Sequence, residues 1–174
     1  MNKVCIVTGA SRGMGYGIAK VLAEEEGATV YATARSKKAL DDLSASTKDS
    51  LGVIHPCVLD QADDGAVEKF VLNVIAKEKQ IDLLVNSAYG GLTAMAPHFG
   101  KPFWERPVSV FDASMNIGLR SAFVMSKFVA PHMVENKSGL MVQVSSFGGH
   151  GYLFDVGYGV GKAGLDRLSA DMAA

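Results

Sequence analysis

Tyr158-Gly-Val-Gly-Lys162 follows the pair Ser145-Ser146 by a dozen residues, and these side chains together suit proton transfer. An isolated phenol titrates near ~10, too high for efficient proton exchange at neutral pH. An ammonium at i+4 on a helix shares the phenol's face and favours phenolate. A serine hydroxyl can orient a substrate oxygen and stabilise charge developing on it. The chemistry implied is proton exchange with a carbonyl or an alcohol. Near the other end of the chain, Thr8-Gly9-Ala10-Ser11-Arg12-Gly13-Met14-Gly15 follows the apolar run Val4 to Val7 and opens a helix. Gly9, Gly13 and Gly15 supply a turn free of Cβ atoms, where the backbone can approach a pyrophosphate closely. The N–H groups and positive dipole end of the following helix then face the anion. Ser11, Arg12 and Met14 lie in the same turn and complete the candidate cofactor loop.

Strands and helices must alternate to place these groups. Val4–Thr8, Ala28–Ala34, Gly52–Leu59, Ile81–Val85 and Gly139–Val144 read as strands, mostly continuous apolar runs of the kind buried on both faces. Met14–Glu26, Ser36–Asp49, Gln61–Lys79 and a long stretch from Glu105 to about Glu135 read as helices, with Pro107 near the start of the last and Pro131 near its end. Ser87 to Lys101 reads as a Gly- and Pro-containing loop, and Asp155 or Tyr158 opens the final helix. Right-handed crossovers between such strands favour an α/β fold with a Rossmann-like, doubly wound parallel sheet of order 3-2-1-4-5. One dinucleotide-binding domain over residues 1–174 is expected, with no repeat or linker dividing it.

The ordered pair of motifs resembles the short-chain dehydrogenase/reductase family from residue 3 onward, and Asn86-Ser-Ala-Tyr-Gly90 and Phe103-Trp-Glu105 strengthen the likeness. The resemblance implies an oxidoreductase in which a nicotinamide cofactor carries hydride and Tyr158 acts as general acid/base. It implies that Lys162 also bonds the nicotinamide ribose and that Asp60 contacts adenine. Asn86 matches a cofactor-contacting position after the fourth strand, and Asn116 matches an Asn holding a water that links the Lys to solvent. For the serine, family spacing selects Ser145 whereas strand alignment selects Ser146, which is modestly favoured. Ser87 and Tyr89 depart from the family's Asn-Asn-Ala-Gly pattern, and Tyr89 is expected to face the substrate instead. The end of the second strand, Tyr31-Ala-Thr-Ala-Arg35-Ser36, lacks the acid that would bond a ribose 2′-hydroxyl. Arg12 and Arg35 suit a 2′-phosphate, so NADP(H) is expected in preference to NAD(H).

The chain ends twelve residues after Lys162. By resemblance it carries the N-terminal two-thirds of the family's fold, with the C-terminal strands missing. Low stability and little activity are therefore expected, and the alternative to an enzyme is an inactive fragment that acts only by binding nucleotide or a subunit. A homo-oligomer is expected of a full-length form.

A net charge of −1 and a pI near 6.4 give no reason to expect nucleic acid as a partner. No apolar stretch approaches the ~20 residues of a spanning helix, and no signal peptide is readable, so a cytoplasmic location is the default expectation. The four histidines lack metal-ligand spacing, and His150 reads as solvated loop. Cys5 and Cys57 read as buried free thiols. Trp104, Phe147 and Phe154 are candidates to line a substrate pocket, while Met115, Met125 and Met133 read as core or subunit-contact residues.

Overall fold

The computed structural model describes residues 3–174. They form two compact units, one running to Ala88 and including Val124–Val142, the other made of Tyr89–Phe123 and Gln143–Ala174.

The first unit holds a parallel sheet of order β3-β2-β1-β4-β5, as the strand–helix alternation predicts. Its strands are β1 (Val4–Thr8), β2 (Thr29–Ala34), β3 (Val53–Val58), β4 (Leu83–Asn86) and β5 (Leu140–Gln143). β1 and β2 are buried along their whole length, as the uninterrupted apolar runs require. β3 tolerates Pro56 because it is an edge strand, where a missing N–H need not break a ladder. Helices α1 (Gly13–Glu24), α2 (Lys37–Ser46) and α3 (Asp64–Glu78) follow the first three strands. Ser36 and Asp63 cap α2 and α3 by accepting from Ala39 N and Ala66 N, and Lys79 closes α3 in the left-handed conformation. The core joins Ile6, Val67, Val71 and Leu84 to Met125, Val129 and Met133 of α6 (Ser121–Glu135), which places two of the three methionines as expected. Cys5 is buried and Cys57 only partly covered; both are free thiols. Among the described residues, no helix is long and apolar enough to cross a membrane.

The second unit departs from the sequence expectation in two places. The presumed loop contains a short helix, α4 (Gly91–Met95), continued by a 3₁₀ turn over Ala96–His98. The long helix starts only at α5 (Val108–Ser114), with Pro107 at its N-cap, and passes through a π-helical turn, Met115–Arg120, before α6. Proline fixes its own φ and suits that first position, so the break falls there and not at Glu105. α7 (Val156–Met172) packs against α5 and the π turn through Gly157, Gly161 and Gly164, where added Cβ atoms would run close to Phe111, Met115 and Leu119.

One glycine of the first unit carries a testable structural demand. Gly9 has φ +69°, and a Cβ placed there would stand 2.7 Å from the Ala88 Cα. Gly9→Ala therefore combines left-handed strain with a backbone collision. It is expected to cost about 2 kcal/mol or more of unfolding free energy. Chemical denaturation of the two proteins checks this, and an unchanged midpoint would remove the proposed constraint.

Candidate active site

The candidate cofactor residues of the first unit gather at the C-terminal ends of its strands, where open α/β sheets bind ligands. Gly9 to Gly15 link β1 to α1, and a Cβ on Gly15 would press against the Gly9 carbonyl, so the turn is built for backbone. Arg12 is the α1 N-cap and makes no side-chain cap, and the first turn of α1 contains no acid. Its N–H groups and dipole end are thus suited to an external anion. Ser11 is half-buried, while Arg12, Gly13 and Met14 are exposed around this end. Arg35 is exposed immediately after β2, and Asp60 follows β3, with its carboxylate accepting from Ala62 N in a local turn. Asn86, at the end of β4, is 5% exposed and donates to Ser126 Oγ at 3.1 Å. A residue that sequence reasoning missed is Thr8. Its hydroxyl accepts from both Ser87 N and Ala88 N and ties the segment after β4 to the end of β1. Its only sequence signal is a hydroxyl where an apolar strand meets the glycine turn. A bare helix N-terminus, a Cβ-free turn and exposed arginines fit a dinucleotide.

The second unit brings together the residues that the sequence analysis assigns to proton transfer. Asp155 caps α7 by accepting from Gly157 N at 2.7 Å and Tyr158 N at 3.4 Å. Arg106 holds Asp155 through Nη1 at 2.5 Å and donates to the Phe154 carbonyl at 3.0 Å. Both side chains of this ion pair are almost wholly buried, 7% and 5% exposed. Neither partner was legible as a site residue, because the pair joins positions 49 apart in the chain. Together they set the start of α7 and with it Tyr158.

Tyr158 donates its phenolic proton to Ser146 Oγ at 2.8 Å. Ser146 also caps a 3₁₀ turn over Phe147–Gly149 by accepting from Gly148 N at 3.1 Å. Ser145, the alternative, donates instead to the Lys162 carbonyl at 3.3 Å, on the helix backbone. Of the two serines, Ser146 is therefore the one beside the phenol. Gly148 leaves room for the Tyr158 ring, since a Cβ there would overlap ring carbons. Lys162 is 8% exposed, and its Nζ donates to the Val144 carbonyl at 2.6 Å and lies 5.7 Å from the Tyr158 ring centroid. Burial pushes the Lys162 pKa below its ordinary value, with Asp166 opposing that shift.

The remaining candidates spread around this centre. Asn116 is exposed in the π turn, where its carbonyl accepts from Ser121 N, five residues on. Phe154 stands edge-on to Tyr158 at 5.6 Å, whereas exposed Trp104 meets Phe103 edge-on and Phe147 is exposed. His150 is exposed, 3.6 Å from Asp166, as expected of a solvated loop residue. Tyr89 does not simply point outward. Its ring is edge-on to Tyr158 at 5.4 Å, with the Lys162 ammonium 5.2 Å from its centroid.

The short chain dehydrogenase family model matches residues 3–174. A curated mouse relative, dehydrogenase/reductase SDR family member 1 of Mus musculus, is 44% identical over 99% of this chain and 55% of its own length. The chain thus spans about half the length of that relative and of its human counterpart. Among solved structures, a metagenomic short-chain oxidoreductase in complex with NADP superposes with a TM-score of 0.87 at 29% identity, covering 98% of this chain and 75% of that one. An NAD+-bound xylitol dehydrogenase superposes with a TM-score of 0.88 at 29% identity, covering 98% and 64%.

Proposed function

Because this chain belongs to the short chain dehydrogenase family, we propose that it is an NADP(H)-dependent oxidoreductase interconverting a carbonyl and an alcohol. Residues 1–174 then act as one dinucleotide-binding domain that also carries the proton-transfer residues. The observation that carries this reading is the 2.8 Å hydrogen bond from the Tyr158 hydroxyl to Ser146 Oγ, with the Lys162 ammonium buried beside the same ring.

Gly9, Ser11, Arg12, Gly13, Met14 and Gly15 hold the pyrophosphate end of the cofactor, with Asp60 and Asn86 flanking the adenine and nicotinamide portions. When bound, the nicotinamide supplies or accepts the hydride. In reduction, Tyr158 passes its phenolic proton to the substrate oxygen while the carbonyl carbon gains the hydride; in oxidation Tyr158 takes that proton back. Ser146 already accepts from Tyr158 and from Gly148 N. Gly148 N holds one lone pair of Ser146, and when Tyr158 turns its phenolic proton from Ser146 to the substrate oxygen, the Ser146 proton is offered to the same oxygen, where negative charge develops. Lys162 places a positive charge beside the phenol and bonds the nicotinamide ribose. Asn116 orders water on the solvent side of Lys162. The substrate is a small carbonyl or alcohol compound.

The two solved relatives carry one nucleotide each, so the choice rests on this chain's own side chains. Exposed Arg12 and Arg35, with no acid at the end of β2, support a 2′-phosphate. Arg35→Asp is expected to weaken NADPH binding by about 1.5–3 kcal/mol, the loss of a charge-assisted contact, and to leave NADH binding near the parent's. Titration of both nucleotides against both proteins tests this. Equal affinities for NADPH and NADH in the parent would overturn the preference.

A further inference from the structure

Tyr89 sits in the segment between β4 and α4, remote in sequence from α7, yet its ring is half-buried against both Tyr158 and Lys162. Its seat is shaped for it. A Cβ on Gly91 would collide with the Tyr89 hydroxyl, and one on Gly118 would come within 3.1–3.2 Å of the ring edge. The hydroxyl lies 3.0 Å from Ser114 Oγ. Ser114 is fully buried, and its hydroxyl stands between the Tyr89 hydroxyl and the Val110 carbonyl. Burial pushes the Tyr89 pKa up to about 12, against the opposing effect of the Ser114 bond. Tyr89 therefore stays neutral and does not compete with Tyr158 for the proton.

What it offers is the ring. An ammonium within about 6 Å of an aromatic centroid is attracted by the ring's electron-rich face, most strongly when water is excluded. Lys162 is nearly buried, and its ammonium lies near two such rings that also touch each other, Tyr89 at 5.2 Å and Tyr158 at 5.7 Å. We propose that Tyr89 is a positioning residue of the proton-transfer centre, its ring holding the Lys162 ammonium in place and bracing Tyr158 edge-on. This role rests on the carbonyl–alcohol chemistry proposed above. The titratable groups that bear on Tyr89 and Lys162 are Tyr158 and Asp166 on α7 and Asp155 at its cap, the last already paired with Arg106.

The test compares Tyr89→Leu, which keeps an apolar filling and removes the ring, with Tyr89→Phe, which keeps the ring and removes only the bond to Ser114. Tyr89→Leu is expected to lower kcat on the order of tenfold, as loss of a desolvated ring–cation contact implies, with KM and NADPH affinity little changed and the pH–rate profile displaced. Tyr89→Phe should restore kcat to within a few-fold of the parent. A second readout needs no turnover. In ¹⁵N-lysine NMR titrations, with Lys162 assigned by its loss in Lys162→Met, the ammonium pKa should fall further in Tyr89→Leu than in the parent and recover in Tyr89→Phe. A kcat and pH profile like the parent's in Tyr89→Leu, or an effect confined to KM, would overturn the positioning role and leave the oxidoreductase reading intact. A folded parent that binds NADPH without turning over any carbonyl would instead overturn the oxidoreductase reading, and the Lys162 titration would then decide the role of Tyr89.

Discussion

Tyr158→Phe is expected to lower turnover by ~10²-fold or more, with NADPH affinity close to the parent's. The substitution removes one oxygen and its proton. The ring remains, and with it the edge-on contacts to Tyr89 and Phe154 and the neighbouring Lys162 ammonium. Ser146 loses the phenolic donor and keeps its bond from Gly148 N, so the local turn should survive. The effect thus isolates proton transfer from packing. Steady-state kinetics together with nucleotide binding measure it. A Phe variant with most of the parent's activity would show that the proton travels by another route.

The second large effect separates two adjacent hydroxyls. Ser146→Ala is expected to reduce kcat by ~10²-fold, the usual scale for removing a donor aimed at developing negative charge. Ser145→Ala should leave kcat within a few-fold, because Ser145 Oγ bonds a backbone carbonyl of α7 and not the phenol. Its loss should appear as about 0.5–1.5 kcal/mol of stability instead. The pair of variants is informative because both delete the same group from neighbouring positions. A larger kinetic loss in Ser145→Ala than in Ser146→Ala would move the role to Ser145.

Much of this molecule was legible before its coordinates. Apolar runs between helical patterns foretold the five strands, and right-handed crossovers foretold their order. Of the two starts the sequence offered for α7, Asp155 and Tyr158, the structure selects Asp155 as the cap, and the Tyr–Lys spacing declared the face that the helix presents. What escaped reading was structure imposed by partners distant in sequence. α4 has five residues, too few to be stable alone, so its helical state comes from packing against α5 and not from propensity. The π turn at Met115–Arg120 has no mark comparable to a proline or a cap. The choice between Ser145 and Ser146 depends on which way each side chain leaves the end of β5, and a one-residue step reverses that direction. The Arg106–Asp155 pair and the place of Tyr89 depend on contacts across long stretches of chain.

The proposed reaction moves a hydride and a proton onto one carbonyl group. The most direct measurement uses NADPH deuterated at both hydrogens of the reactive nicotinamide carbon, a panel of aldehydes and ketones, and mass analysis of the products. Deuterium on the alcohol carbon, formed by the parent and abolished in Tyr158→Phe, is the expected result. Alcohol without deuterium, labelled alcohol formed equally by the Tyr158→Phe protein, or no alcohol from folded chain saturated with NADPH would contradict it.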